Sequence, residues 1–305
     1  MMLKAFVTQA AEVERKARFA EGEGYDAAAA GLYERAAMLY GRGAYAIFKD
    51  DPLKFEYHRK MVETYDKVIS LSKLKAERVG LQMEGKTLYG MLYLPPTKND
   101  EPVPVIVLLP GMDMVKEQWT RMIQEQVLPL GIAAFALDGP GQGESLLHGL
   151  KVSVTNYDDA GSAVVDYLVA RPEIDSQRIS LFGFSFGSHW AVRLAAIEPR
   201  LKATAGVEGC FGPKDNMFNV QQPNYRSNYM YMSGVFDDDE FDRMTAELSL
   251  DAVAPKVQCP FLMAQGEFDE LSPAKETLAL YEKLPEPKEL WLFEDEFHPL
   301  GGVAG

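Results

Sequence analysis

Apolar residues recur at helical spacing in three stretches of the N-terminal quarter, 6–19, 25–40 and 55–74, and the breaks between them carry Gly22-Glu23-Gly24 and Asp50-Asp51-Pro52. Glycines end helices and an Asp-Pro pair starts them, so the pattern predicts three amphipathic helices. Alanines around Leu32, Tyr33, Ala36 and Leu39 predict that the second packs closely on its neighbours. From about residue 77 the period changes. Segments 77–83 and 87–94 read as an antiparallel strand pair leading into buried parallel strands, the apolar runs 104–109, 132–137, 179–182 and 260–263 read as strands, and 289–293 is strand-like. Helical patterns at 117–128, 158–170 and 272–284 alternate with them. The expectation is an all-helical domain over 1–76, then an α/β domain over 77–305 with a mostly parallel sheet flanked by helices. Residues 211–250 interrupt the rhythm with Phe211, Phe218, Tyr225, Tyr229, Tyr231, Phe236 and several methionines. Such residues suit an apolar pocket wall, so a short lid insertion is expected there, with plain packing helices as the simpler alternative.

Chemistry enters at Gly183-Phe184-Ser185-Phe186-Gly187, which lies between the strand ending near Phe182 and a helical run from His189 to Ala196. A serine at the apex of a sharp strand-to-helix turn holds its hydroxyl clear of the sheet, and flanking glycines avoid collision with strand and helix; this is a nucleophile elbow. Such a serine needs a base, and then an acid to orient that base, in the chain order Ser, Asp or Glu, His. His298 follows the strand-like run 289–293 on a loop and is the expected base. His189 leads away along the elbow helix, His58 belongs to an N-terminal helix, and His148 precedes the serine but is placed to border a pocket. Asp269 is the expected acid, because it sits between an apolar strand and the Ser272-Pro273 helix start; Glu267 and Glu270 read as solvated neighbours. Glu208, at the end of the strand after the elbow helix, is the alternative acid.

An oxyanion hole requires two backbone N–H groups aimed at the developing negative oxygen. Phe186, directly after the nucleophile, supplies one, and Met112, in the Pro110-Gly111-Met112-Asp113 turn that breaks an earlier apolar strand, is expected to supply the other. A second glycine-rich loop, Asp138-Gly139-Pro140-Gly141-Gln142-Gly143-Glu144-Ser145, does not read as a nucleotide cradle: it lacks the Gly-Lys-Ser/Thr of a phosphate loop, and no helix is expected to open directly from it.

The Pro-Gly turn, the elbow, Gly266-Glu267-Phe268-Asp269-Glu270-Leu271-Ser272-Pro273 and the late histidine together resemble the α/β-hydrolase superfamily over about residues 77–300. More narrowly, Pro110-Gly111-Met112-Asp113 with Lys116-Glu117, followed by Asp138-Gly139-Pro140-Gly141-Gln142-Gly143-Glu144 and preceded by a helical segment, resembles the branch of 2,6-dihydroxypseudooxynicotine hydrolase and the fungal polyketide-shortening hydrolases. That resemblance implies an N-terminal region that packs over the active-site entrance and helps form a homodimer. It also implies hydrolysis of a carbon–carbon bond beside a carbonyl, in an aryl ketone or β-diketone, with Asp113 or Glu208 as an auxiliary acid that protonates the leaving carbon. The alternative is a carboxylesterase for small aromatic or acyl esters, and a remote one is a non-catalytic interaction protein. The superfamily fold continues with a helix after the catalytic histidine, whereas this sequence stops at Gly305, which reads as a truncated C-terminal end.

Composition narrows the partners. The 305 residues carry 31 Lys and Arg against 45 Asp and Glu, a net charge of -14 that disfavours nucleic acid and anionic membranes. No apolar stretch reaches eighteen residues, and the first residues lack a signal-peptide pattern, so a cytoplasmic enzyme acting on a small carbonyl substrate is expected. Cys210 and Cys259 read as buried thiols. No cofactor or metal is expected, and the acidic run 237–240 reads as a solvated helix start. The helical region has no repeat that would make it a solenoid of binding modules.

Overall fold

The computed structural model describes residues 2–96 and 101–300, and its contacts divide the chain into two compact units, Met1–Glu77 and Arg78–Gly305. The first holds helices α1 (Met2–Gly22), α2 (Asp26–Tyr45) and α3 (Pro52–Ser72). Each start has a local cause where the sequence supplies one: the Asp51 carboxylate accepts from Leu53 N–H at 2.9 Å and Pro52 takes the first helical position. Buried Ala10, Ala17, Ala29, Ala36 and Ala37 let the helix backbones approach. The buried Tyr33 and Tyr40 hydroxyls donate to Glu21 and Glu14 at 2.5 and 2.7 Å, so both phenols are satisfied inside the helical unit.

The second unit is built on one eight-stranded sheet. After β1 (Ala76–Met83) and β2 (Lys86–Tyr93) come β3 (Val103–Leu109), a one-turn helix α4 (Thr120–Met122), β4 (Ala133–Asp138), α5 (Gly143–Leu147) and α6 (Asn156–Val169). Then follow β5 (Ile174–Phe184), α7 (Phe186–Ile197), β6 (Leu201–Val207), α8 (Pro223–Ser233), α9 (Asp238–Ala246), β7 (Phe261–Gly266), α10 (Ala274–Tyr281) and β8 (Lys288–Phe293). The strand order is β1-β2-β4-β3-β5-β6-β7-β8; β2 runs antiparallel to β4, and every pair from β4 to β8 is parallel. This is the α/β-hydrolase arrangement. Every residue of β4 is buried, as an apolar run between two helix layers requires. The helix expected over 117–128 is instead a broken path of 3-10, α and π turns ending at Leu130.

In the 211–250 segment several of the aromatic residues pack inward, while Phe236 is exposed. Phe218, Tyr229 and Phe241 are buried; Phe241 meets the other two rings edge-on, Phe218 and Tyr229 are tilted against each other, and the Tyr229 ring lies 5.3 Å from the Phe186 ring at the elbow. Asp237 begins α9 as a side-chain cap, accepting from Glu240 N–H at 2.9 Å. Parallel strands bring their carboxyl ends to one edge of the sheet, which is where open α/β sheets carry their sites. The loops after β3, β5, β6, β7 and β8 therefore gather Met112, Ser185, Glu208, Asp269 and His298 from distant parts of the sequence. The last five residues, on which the expectation about the C-terminal end falls, lie outside the described residues.

Candidate active site

Ser185 sits between β5 and α7 with φ 52 and ψ -120, a left-handed region that costs a non-glycine residue about 1–3 kcal/mol and persists only where its surroundings hold it. The hold is visible. Ser185 N–H donates to Val207 at 2.9 Å, and a side chain on Gly183 would stand 2.4 Å from Gly187 O, one on Gly187 2.2 Å from Leu109 O. Both flanking positions thus require glycine because strand and helix backbones pass too close for a Cβ.

Ser185 Oγ lies 3.0 Å from His298 Nε2, and His298 Nδ1 lies 2.8 Å from Asp269 Oδ2. A carboxylate on Nδ1 keeps the proton there, which leaves Nε2 as an acceptor for the serine proton. Asp269 is itself fixed, its Oδ1 accepting from the backbone N–H groups of Leu271 and Ser272 at 2.8 and 3.0 Å. Burial opposes the imidazolium, but the bond to Asp269 and its charge, with the charges of Glu208 and Glu270, outweigh it and raise the His298 pKa above its ordinary 6.5. A base must be neutral to act. Activity should therefore fall on the acidic side with a midpoint above 6.5 in a pH profile of kcat/KM; a midpoint at or below 6.5 would mean that the carboxylates do not act on the imidazole. His189 is fully buried and its pKa is pushed well down by burial, aided by Lys214 and Arg193, so it stays neutral in the core.

The turn after β3 closes on the serine: a Cβ on Gly111 would stand 3.2 Å from Ser185 Cβ. Two side chains pin this turn. Gln142 Nε2 donates to Gly111 O at 2.8 Å while its Oε1 accepts from Tyr157 at 2.8 Å, and Asn228 of α8 donates to Met112 O at 3.1 Å. With their carbonyls tied back, Gly111 and Met112 keep one backbone orientation beside the nucleophile, and Phe186 opens α7 directly after it. Gln142 and Asn228 were not among the residues expected from the sequence. Gln142 had a signal, since it sits inside the quoted glycine-rich loop; Asn228, 116 residues from Met112, had none.

That glycine-rich loop does open into a helix, contrary to the sequence expectation, but a nucleotide is still excluded. A Cβ on Gly143 would stand 2.1 Å from Asp138 Oδ2, which caps the helix by accepting from Glu144 N–H at 2.9 Å. The space a phosphate would fill holds the protein's own carboxylate. The same Asp138 binds Lys116, whose ammonium is fully buried and lies 2.8 Å from Asp138, 2.8 Å from Glu117 and 2.9 Å from Glu144. This ionic cluster anchors the start of the segment that follows the Met112 turn.

The remaining residues stand apart from Ser185, His298 and Asp269 to different degrees. Asp113 is exposed on the turn, and Cys210 Sγ lies 4.0 Å from Ser185 Oγ, its pKa pushed up to about 12 by burial, which makes it an inert thiol. His148 is exposed and bonds Tyr89 at 3.2 Å. Glu208 is buried, with Oε1 accepting from Leu300 N–H at 2.7 Å and Oε2 sealed from solvent. A carboxylate so enclosed is badly placed to protonate a substrate carbon, so of the two auxiliary acids only Asp113 keeps access to solvent. A cavity of about 400 Å³ lies elsewhere, across β3, β5, β6 and the starts of β7 and β8, and contains none of these residues.

The comparisons agree with this architecture. The esterase FrsA-like family profile matches residues 5–241, a span that includes Ser185 and ends before Asp269 and His298. The chain is 30% identical over 268 residues to 2,6-dihydropseudooxynicotine hydrolase of Paenarthrobacter nicotinovorans, covering 87% of this chain and 70% of that protein. It is 27% identical to esterase FrsA of Photobacterium profundum, covering 65% of this chain but only 46% of the esterase. Among solved structures, 2,6-dihydroxy-pseudo-oxynicotine hydrolase superposes with a TM-score of 0.85 at 28% identity, over 98% of this chain and 83% of that one. AbyA5 superposes with a TM-score of 0.74 at 21% identity, over 96% of this chain and 83% of that one, a likeness of fold.

Proposed function

The chain belongs to the FrsA-like esterase family, and on that premise we propose that it is a cofactor-independent serine hydrolase in which Ser185, His298 and Asp269 form the catalytic triad. The observation that carries this reading is the unbroken line of hydrogen bonds from Ser185 Oγ to His298 to Asp269, on three loops at one sheet edge. His298 Nε2 takes the serine proton as Oγ attacks a carbonyl carbon. The N–H groups of Phe186 and Met112 receive the oxyanion, and Asp269 stabilises the imidazolium. His298 then gives its proton to the leaving group, and water repeats the sequence on the acyl-enzyme.

Likeness to 2,6-dihydroxypseudooxynicotine hydrolase favours carbon–carbon cleavage beside the carbonyl of an aryl ketone or β-diketone. An alkoxide or phenoxide leaves with help from His298 alone, whereas a carbon leaving group also needs delocalisation and a proton donor, for which Asp113, exposed on the turn after β3, is the candidate. Family membership supports the second reading, a carboxylesterase with the same triad. A panel of p-nitrophenyl esters, acyl-phenols and β-diketones separates the two. For a carbon–carbon hydrolase, Asp113→Asn should lower ketone turnover about tenfold or more and leave p-nitrophenyl acetate hydrolysis within about twofold. Equal losses on both substrates would remove Asp113 from the chemistry, and no ketone turnover by the unmodified enzyme would leave the esterase reading.

A further inference from the structure

We infer that Glu208 is a positioning residue for His298: from the end of β6 its buried carboxylate fastens the backbone just beyond the histidine and presents to the imidazole a second negative charge besides that of Asp269. The inference rests on the triad reading above.

The histidine loop is tied on both sides. Before His298, Glu296 O accepts from Phe268 N–H at 2.8 Å, which binds the loop to the Asp269 turn. Beyond it, the tie is Glu208 Oε1, which accepts from Leu300 N–H at 2.7 Å across 92 residues of sequence. Glu208 is held in turn. Its φ of 51 is a left-handed conformation unusual for a side-chain-bearing residue, its N–H donates to Ala264 O at 2.8 Å, and Gly209 N–H donates to Gln265 Oε1 at 2.9 Å. Gln265 Nε2 donates to Ser272 O at 3.0 Å, and Ser272 N–H donates to Asp269 Oδ1. The path from Glu208 through Gln265, Ser272, Asp269, His298 and Leu300 closes on itself. Both the acid and the base of the triad are thereby referred to the same strand end.

A latch alone needs only an acceptor, which an amide supplies. Glu208 is instead a carboxylate only 4% exposed, and its Oε2 has no hydrogen-bond partner among the described residues, an arrangement that costs solvation without local return. Burial first, then Asp269 and Glu296, push its pKa up, while Leu300 N–H and His298 act the other way; Cys210 nearby is a neutral thiol. The groups facing His298 are Asp269, Glu208 and Glu270, all carboxylates. Of the groups facing Glu208, only His298 can become positive, and it does so when it takes the serine proton. A charge matched only at that moment stabilises the transition state more than the resting enzyme.

The test is the pH dependence of kcat and kcat/KM on p-nitrophenyl acetate for the unmodified enzyme, Glu208→Gln and Glu208→Ala. Glutamine keeps an acceptor and loses the charge, so the acidic limb should move to lower pH by about half a unit or more. Alanine loses both. It should show the same shift together with a fall in plateau kcat of about tenfold or more, KM staying within about twofold, because a loosened imidazole is misplaced for proton transfer rather than for substrate binding. If Glu208→Ala does not fold, the limb of Glu208→Gln decides alone. An unshifted limb in Glu208→Gln overturns the inference, as does an alanine variant whose plateau kcat equals that of the glutamine variant. Failure of the triad reading itself appears separately, as turnover that survives Ser185→Ala.

Discussion

Ser185→Ala is expected to lower turnover by a factor on the order of a thousand to a million while leaving the fold unchanged. The large effect follows from the geometry: Ser185 Oγ is 3.0 Å from His298 Nε2, and among the described residues no other hydroxyl bonds to that nitrogen. Direct attack by water on a carbonyl held at the oxyanion donors is the slow route that remains. The small structural effect follows from the same list of contacts. Among the described residues the hydroxyl meets only His298 and, more distantly, the Cys210 thiol, and the left-handed backbone at position 185 is imposed by the passing strand and helix, so alanine inherits it without new strain. Circular dichroism and thermal unfolding should match those of the parent. Asp269→Asn should lose on the order of ten-thousandfold, since an amide facing Nδ1 favours the wrong tautomer. Residual turnover of Ser185→Ala above about one per cent would show that another group is the nucleophile.

The elbow was legible in the sequence because its requirements are local. Two glycines at fixed offsets, an apolar strand before and a helical period after define the turn, and the chain order of acid and base limits the partners to residues after Ser185. The three N-terminal helices and the sheet strands were legible for a similar reason, their burial being written as a period of 3.6 or as continuous apolar runs. What escaped were pairings across long stretches of chain. Glu208 stood out only as an acid on a strand end; its bond to the backbone of Leu300 depends on β6, β7 and β8 lying side by side. Asn228 reaches the Met112 turn from a segment whose apolar residues suggested a lid, and its role is set by where α8 lands. The ionic cluster around Lys116 runs against hydropathy altogether. Lys116 and Glu117 have the look of an exposed helix start, yet both side chains are fully buried, because Asp138 and Glu144 arrive from the next strand and loop to meet them.

That cluster carries the largest stability effect expected in the hydrolase unit. Burial alone would drive the Lys116 ammonium towards neutrality, but Asp138, Glu117 and Glu144 more than reverse this and hold it charged. Asp138 is also held ionised: burial opposes it, but Lys116 and the N–H groups of Glu144 and Lys116 prevail, so its pKa is lowered, whereas Glu117, with Lys116 as its close partner, is raised by burial. Lys116→Met fills the volume but removes the cation that Asp138, Glu117 and Glu144 share, leaving Asp138 and Glu117 facing each other and Glu144 with Arg78 at 3.3 Å. Breaking a buried pair from one side costs about 3–5 kcal/mol, because the partner stays buried and uncompensated. The sign of the pH dependence follows. Without the lysine, Asp138 ionises less readily in the folded chain than in the unfolded one, so folding takes up protons and the loss should be greater at pH 8 than at pH 5. Trp119, Trp190 and Trp291, the only tryptophans, all lie in the second unit, so urea unfolding followed by tryptophan fluorescence reads that unit alone. A loss below about 1 kcal/mol at pH 8, or one that grows on acidification, would mean that Lys116 does not hold these carboxylates together.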